Sequence, residues 1–165
     1  VINMSKTLEE RVQVLEDVRA CEQLMYQYEW FLDHGYDGEG IASLFVEDGL
    51  WEIEGVGGTA KGHDAIVQHA SDLVKALPWG QHNMVAPMIE IAADGQTAKG
   101  RFSLFCTLTL TDENGNDEAY VEIGKYENDY VKVNGEWKFK RLYGNMEKAA
   151  RWDKGWVKDS LSKEF

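Results

Sequence analysis

Residues 97–133 read TAKGRFSLFCTLTLTDENGNDEAYVEIGKYENDYVKV. Two long runs, Thr97–Thr111 and Asp117–Val133, flank the polar turn DENGN. Apolar residues alternate along both, which predicts an antiparallel hairpin of long strands. The pattern spreads outward on both sides. Upstream, Val85–Ala92 reads as a strand joined through ADGQ; downstream, EWKFKRLY follows the turn VNGE. The half of the chain before these strands is mainly helical. TLEE at Thr7–Glu10 is a capping box. Leu8, Val12, Leu15, Val18, Cys21, Met25, Tyr28 and Leu32 then recur at three- and four-residue steps, predicting one buried helix face. That helix ends in DHGYDGEG. A short helix Ile41–Val46, a strand at LWEIEG, a turn region at GVGGTAKG and a third helix over GHDAIVQHASDLVKAL follow. The tail from about residue 147 has a loose helical pattern with two tryptophans. Helices followed by consecutive long strands specify an α+β fold: a conical, curved antiparallel sheet wrapped around helices, with a pocket in the cone. No repeat or linker divides the 165 residues, which read as one domain spanning 1–165.

The chain is 44% hydrophobic and 12% aromatic, enough to build a core and to line an apolar pocket. Its formal net charge of −12 argues against nucleic acid and anionic membrane as partners, since both require a basic face. A neutral or weakly polar small molecule fits better. Cys21 and Cys106 lie within apolar patterns without metal-ligand spacing, and suit a reducing, cytoplasmic setting. No apolar run approaches membrane-spanning length, and no basic-then-apolar leader opens the chain; Met4 is a candidate start.

Two residues stand out chemically. Asp33 closes the first helix just after YEWFL, where the helix dipole disfavours an acid. His82 lies in WGQHNMVAP, at the mouth of a strand that otherwise reads as core. His34, His63 and His69 are weaker candidates: the first lies in a polar turn, the second at a helix start, and the third on a helix face expected to be exposed. No histidine pair has metal-binding spacing, no glycine-rich segment has phosphate-loop spacing, and no G-x-S-x-G occurs. Cys106, mid-strand, reads as core. An acid, a histidine and much aromatic surface suit proton transfer without metal or cofactor.

WEIEGVGGTAKG, NDYVKVNGEWKFKRLYGNM and YEWFLD with the later QHNMVAP resemble the polyketide-cyclase-like (SnoaL-like) branch of the nuclear transport factor 2-like superfamily. The nearest likenesses are to hexachlorocyclohexane dehydrochlorinase and bile acid 7α-dehydratase, with scytalone dehydratase more distant. The resemblance runs from about Thr7 through Tyr143 and implies a conical α+β barrel. It implies a His–Asp pair, matched by His82 and Asp33, and no cofactor. Tyr28 matches a tyrosine of the dehydratase; the dehydrochlorinase has a lysine there. A mid-strand aspartate of the dehydratase is replaced by Cys106, and a dehydrochlorinase arginine falls one position from Arg141. Close relatives are homotrimers. The expectation is therefore a lyase eliminating a leaving group from an apolar polycyclic or aromatic molecule. His82 would be its base, Asp33 the base's support and Tyr28 a hydrogen-bond donor. Trp30, Trp51, Met84, Phe102, Cys106 and Arg141 are the expected binding wall. An isomerase or ring cyclase of the same fold, and a non-catalytic ligand-binding or assembly subunit, are the alternatives.

Overall fold

Thr7 caps the first helix as TLEE requires. Its hydroxyl accepts from the Glu10 amide at 3.2 Å, and the Glu10 carboxylate accepts from the Thr7 amide at 2.7 Å. The computed structural model describes residues 6–54 and 57–158. Helix α1 spans Leu8–Asp33 and buries Cys21, Leu24, Met25, Tyr28 and Leu32. The buried stripe is shorter than its period predicts. Leu8, Val12 and Leu15 keep the helical phase, but no other part of the described chain covers them, and they are exposed. Asp17 is buried in their place: it accepts from the Trp137 indole at 2.9 Å and pairs with Lys132 at 2.7 Å.

The remaining elements are α2 (Gly38–Ser43), β1 (Phe45–Ile53), β2 (Gly58–Lys61), α3 (His63–Ala76), β3 (Trp79–Ile91), β4 (Thr97–Thr111), β5 (Asp117–Val133), β6 (Glu136–Arg151) and α4 (Gly155–Lys158). They form a six-stranded sheet in the order β2-β1-β6-β5-β4-β3. The sheet is mixed, not purely antiparallel, because β1 pairs with β6 in parallel. The other pairs are antiparallel.

Three boundaries differ from the sequence reading. GVGGTAKG contains strand β2, whose pairing with β1 depends on a partner remote from the local turn signal. β3 begins at Trp79 rather than Val85, so His82 lies within the strand and not at its mouth. The expected helical tail from about 147 instead continues β6 to Arg151, held by β5, and α4 is a single turn from Gly155. Residues 159–165 of that tail, and Val1–Met4, lie outside the described residues.

β3 carries a register shift between Val85 and Met88, with Ala86 at φ 54. A bulge at Ala86–Pro87 is tolerated because β3 is an edge strand with no second neighbour to satisfy. The concave face carries a core of Trp51, Phe45, Phe139, Tyr130 and Leu142 against α1.

Candidate active site

α1 and β3 are joined by carboxylates. Two acids one helical turn apart, Glu29 and Asp33, reach the open edge of β3. Glu29 accepts from the Met84 amide at 3.0 Å. Asp33 accepts from the His82 amide, with its oxygens at 3.0 and 3.1 Å, and lies 2.7 Å from His82 Nδ1. Because the carboxylate accepts from both, Nδ1 carries the ring proton and Nε2 is left as the basic nitrogen. Nε2 has no hydrogen-bond partner among the described residues. His82 is buried, and the Tyr36 ring meets it edge-on with centroids 6.4 Å apart.

The space beside the histidine is kept by a glycine. A Cβ built at Gly80 would stand 2.8 Å from Leu108 Cδ2 and 3.3 Å from His82 Cε1. The missing side chain at residue 80 thus gives the imidazole its place.

His82 lines a cavity of about 50 Å³ whose polar wall is Tyr28, Tyr36, Tyr126, Trp51 and Glu122. Leu73 of α3, Leu77 just past its end, and Leu104 and Leu108 of β4 supply apolar wall. The Trp51 indole donates to the Tyr28 hydroxyl at 3.0 Å, so the phenol's own proton remains available to donate. Burial pushes the Tyr28 hydroxyl far up, against opposing hydrogen bonds from Tyr126 and Trp51, so it stays protonated at neutral pH. Two larger clefts, about 600 and 640 Å³, lie elsewhere and include none of Tyr28, Asp33 or His82.

The structure brings Asp33, His82, Tyr28 and Trp51 together and separates the other expected wall residues from them. Trp30 is 61% exposed and stacks on His34. Two residues beyond Tyr28, it is turned about 200° around the helix. Met84 and Phe102 point inward as alternation predicts, but sit in the core rather than on the cavity wall. Cys106 is fully buried between His82 and Glu122 in the strand register, and burial raises its thiol well beyond the usual range. A thiol so protonated is no nucleophile. Arg141 flanks the inward-facing Leu142 and turns away, bound to the Glu52 carboxylate at 2.6 Å and over the Tyr143 ring.

The other histidines are occupied structurally. His63 Nε2 contacts the Phe45 carbonyl, and His34 Nδ1 contacts the Trp30 carbonyl. His69, expected to be exposed, is half-buried: it contacts the Gly57 carbonyl and packs edge-on to Trp51. Among the described residues, no group of three or more His, Cys, Asp or Glu side chains could hold a metal ion. Glu122 was not anticipated. Its only sequence signal is its position in VEIGKYEND, where period-two alternation puts it on the same face as Gly124 and Tyr126.

A family model for the SnoaL-like domain matches residues 13–143. The chain belongs to that family. Among solved structures, hexachlorocyclohexane dehydrochlorinase (LinA) Type2 is similar, with a TM-score of 0.77 and 22% identity over 86% of this chain and 92% of that one. The LinA-type3 enzyme of Novosphingobium barchaimii gives 0.76 and 21%, over 86% and 93%. A proposed scytalone dehydratase from Novosphingobium aromaticivorans gives 0.73 and 25%, over 86% and 91%. No curated protein sequence matches the chain. At these identities the likeness is one of fold, and the SnoaL-like assignment agrees with the conical α+β architecture built above. Among the described residues, no helix is long and apolar enough to cross a membrane.

Proposed function

We propose that this SnoaL-like protein is a cofactor-independent lyase in which His82 is the general base. The observation that carries the reading is the 2.7 Å contact between His82 Nδ1 and Asp33, with His82 on a cavity wall beside a protonated tyrosine. Neutral His82 removes a C–H proton through Nε2. Asp33 holds the Nδ1–H tautomer and stabilises the imidazolium as it forms. Tyr28 donates to the oxygen on which negative charge develops. General-base help of this kind is worth roughly 10²–10⁴-fold.

The volume bears on the substrate. An apolar cavity of about 150 Å³ holds one benzene ring, and the site here encloses about 50 Å³. Some wall movement is needed even for a single ring, which favours a compact one-ring substrate over a polycyclic one.

The neighbours named as dehydrochlorinases and as a dehydratase support elimination as the reaction class. An isomerase would use the same pair and return the proton to the substrate. The absence of any lysine or arginine among the cavity-lining residues, to meet a departing anion, is the one observation that favours it. Product mass separates the two, since elimination loses the leaving group and isomerisation loses nothing. The test is turnover of one-ring β-hydroxy and β-chloro ketones by wild type and His82→Gln. Rates indistinguishable between the two proteins would remove the base assignment.

A homo-oligomer, trimeric by family resemblance, belongs to the same proposal. Trp79, Val85 and Phe105 lie exposed on the sheet face opposite His82 and supply apolar surface for it. The free, buried Cys21 and Cys106 support a reducing, cytoplasmic location.

A further inference from the structure

We propose that Glu122 is the general acid of this site, so that the group lost is a hydroxyl, leaving as water, and the substrate is a β-hydroxy ketone. This rests on the lyase reading and assigns its second proton.

The register places the residue. His82 on β3 pairs with Cys106 on β4, and Cys106 pairs with Glu122 on β5. Cross-strand partners share a face, so all three face the concave side. Two strand spacings put the His82 and Glu122 backbones roughly 10 Å apart. The residue between them has a short side chain, and on the other side Glu122 pairs with Ala149. Both named groups line the same cavity. The arrangement leaves an acid and a base on the wall of one cavity across three strands.

The Glu122 carboxyl makes no hydrogen bond or ion pair among the described residues. A carboxylate in such a place would be unpaired and poorly hydrated. Burial pushes its proton affinity up, with the field of His82 pulling the other way. The titratable groups facing it are His82 from β3, Cys106 from β4, Tyr126 from β5 and Tyr36 beyond α1. Burial keeps the thiol and both phenols protonated, so none of them supplies a negative charge beside it.

The chemistry balances. Hydroxide is a poor leaving group, so loss of water is eased where a neighbouring carbonyl acidifies the C–H bond that His82 attacks, and Tyr28 can hold the resulting enolate oxygen. As the C–O bond breaks, the Glu122 proton joins the departing hydroxyl, a C=C bond forms and water leaves. The products are an enone, water, an imidazolium and a carboxylate. Return of the imidazolium proton to Glu122 resets the site. Chloride is a stable leaving anion and needs no such proton, whereas hydroxide does.

The test uses the full chain and two probes differing only in leaving group, 4-hydroxy-4-phenylbutan-2-one and 4-chloro-4-phenylbutan-2-one. Enone formation is followed above the spontaneous rate, with circular dichroism on each variant. Glu122→Gln should lower the hydroxyl-to-chloride rate ratio by about 10²–10⁴-fold. Glu122→Asp, which keeps an acidic proton, should recover part of the ratio. A folded Glu122→Gln that slows both probes equally, or neither, overturns the acid assignment while His82 dependence upholds the lyase. Rates for wild type and His82→Gln that match on both probes overturn the lyase reading, and the acid assignment with it.

Discussion

Asp33→Asn separates two roles that one carboxylate performs. Asp33 accepts from the His82 amide at 3.0 and 3.1 Å and from Nδ1 at 2.7 Å. It therefore closes the edge of β3 as well as orienting the ring. Asparagine keeps an acceptor at the Oδ1 place, which serves both His82 donors, but sets an NH₂ group at the Oδ2 place, where it faces the His82 amide and finds no acceptor. A stranded buried donor costs about 1–3 kcal/mol. The Asp33 side chain is 19% exposed, so water offsets part of this and the lower half of the range applies. At roughly 2–4 °C per kcal/mol for a chain of this size, the melting temperature should fall by about 2–8 °C. The effect on turnover should be much larger. Loss of the charge that supports an imidazolium costs about 10⁴-fold in kcat in the Ser-His-Asp systems that share this geometry, or about 5.4 kcal/mol. His82→Ala should show the complementary pattern, since the backbone amide still bonds Asp33: little loss from the edge contact, near-background turnover. Thermal melts by circular dichroism and steady-state rates on the β-hydroxy ketone probe measure both. A folded Asp33→Asn with turnover within tenfold of wild type would refute the catalytic role and leave Asp33 as an edge clamp alone.

Gly80→Ala should lower turnover with the fold intact, because the new Cβ displaces Leu108 and crowds the His82 ring; an unchanged rate would show that the ring position is not critical. Tyr28→Phe should cost about 1–3 kcal/mol in denaturant unfolding, because it strands the buried Trp51 N–H, and should reduce kcat less than His82→Ala does. Asp17→Ala should cost about 3–5 kcal/mol by the same measurement, since it leaves the half-buried Lys132 charge unpaired. Burial raises the Asp17 carboxyl, but Lys132 and Trp137 outweigh it and hold the group below the usual range. Its stabilising contribution is therefore complete above the ordinary aspartate value of about 3.9. It is lost as pH falls through the lower folded value, and Asp17→Asn should flatten that acid limb.

Local patterns in the chain determined a good deal. TLEE set the start of α1, and period-two alternation set β4 and β5 to the residue, because capping and pleat are decided by neighbours a few positions away. The same local logic, joined to family resemblance, singled out Asp33, His82 and Tyr28. It failed wherever a distant partner decides. β2 became a strand only by pairing with β1, and residues 147–151 stayed extended because β5 holds them. Trp30 and Arg141 belong to the right elements but face outward, and Met84 and Phe102 face inward away from the cavity wall. Alternation reports which face a residue occupies but not its depth along the cone. Depth depends on the register of β3, β4 and β5 together, and that register alone sets Glu122 across from His82. The charge on a carboxyl at that position is likewise a tertiary property, because it depends on how much water three strands and their neighbours exclude.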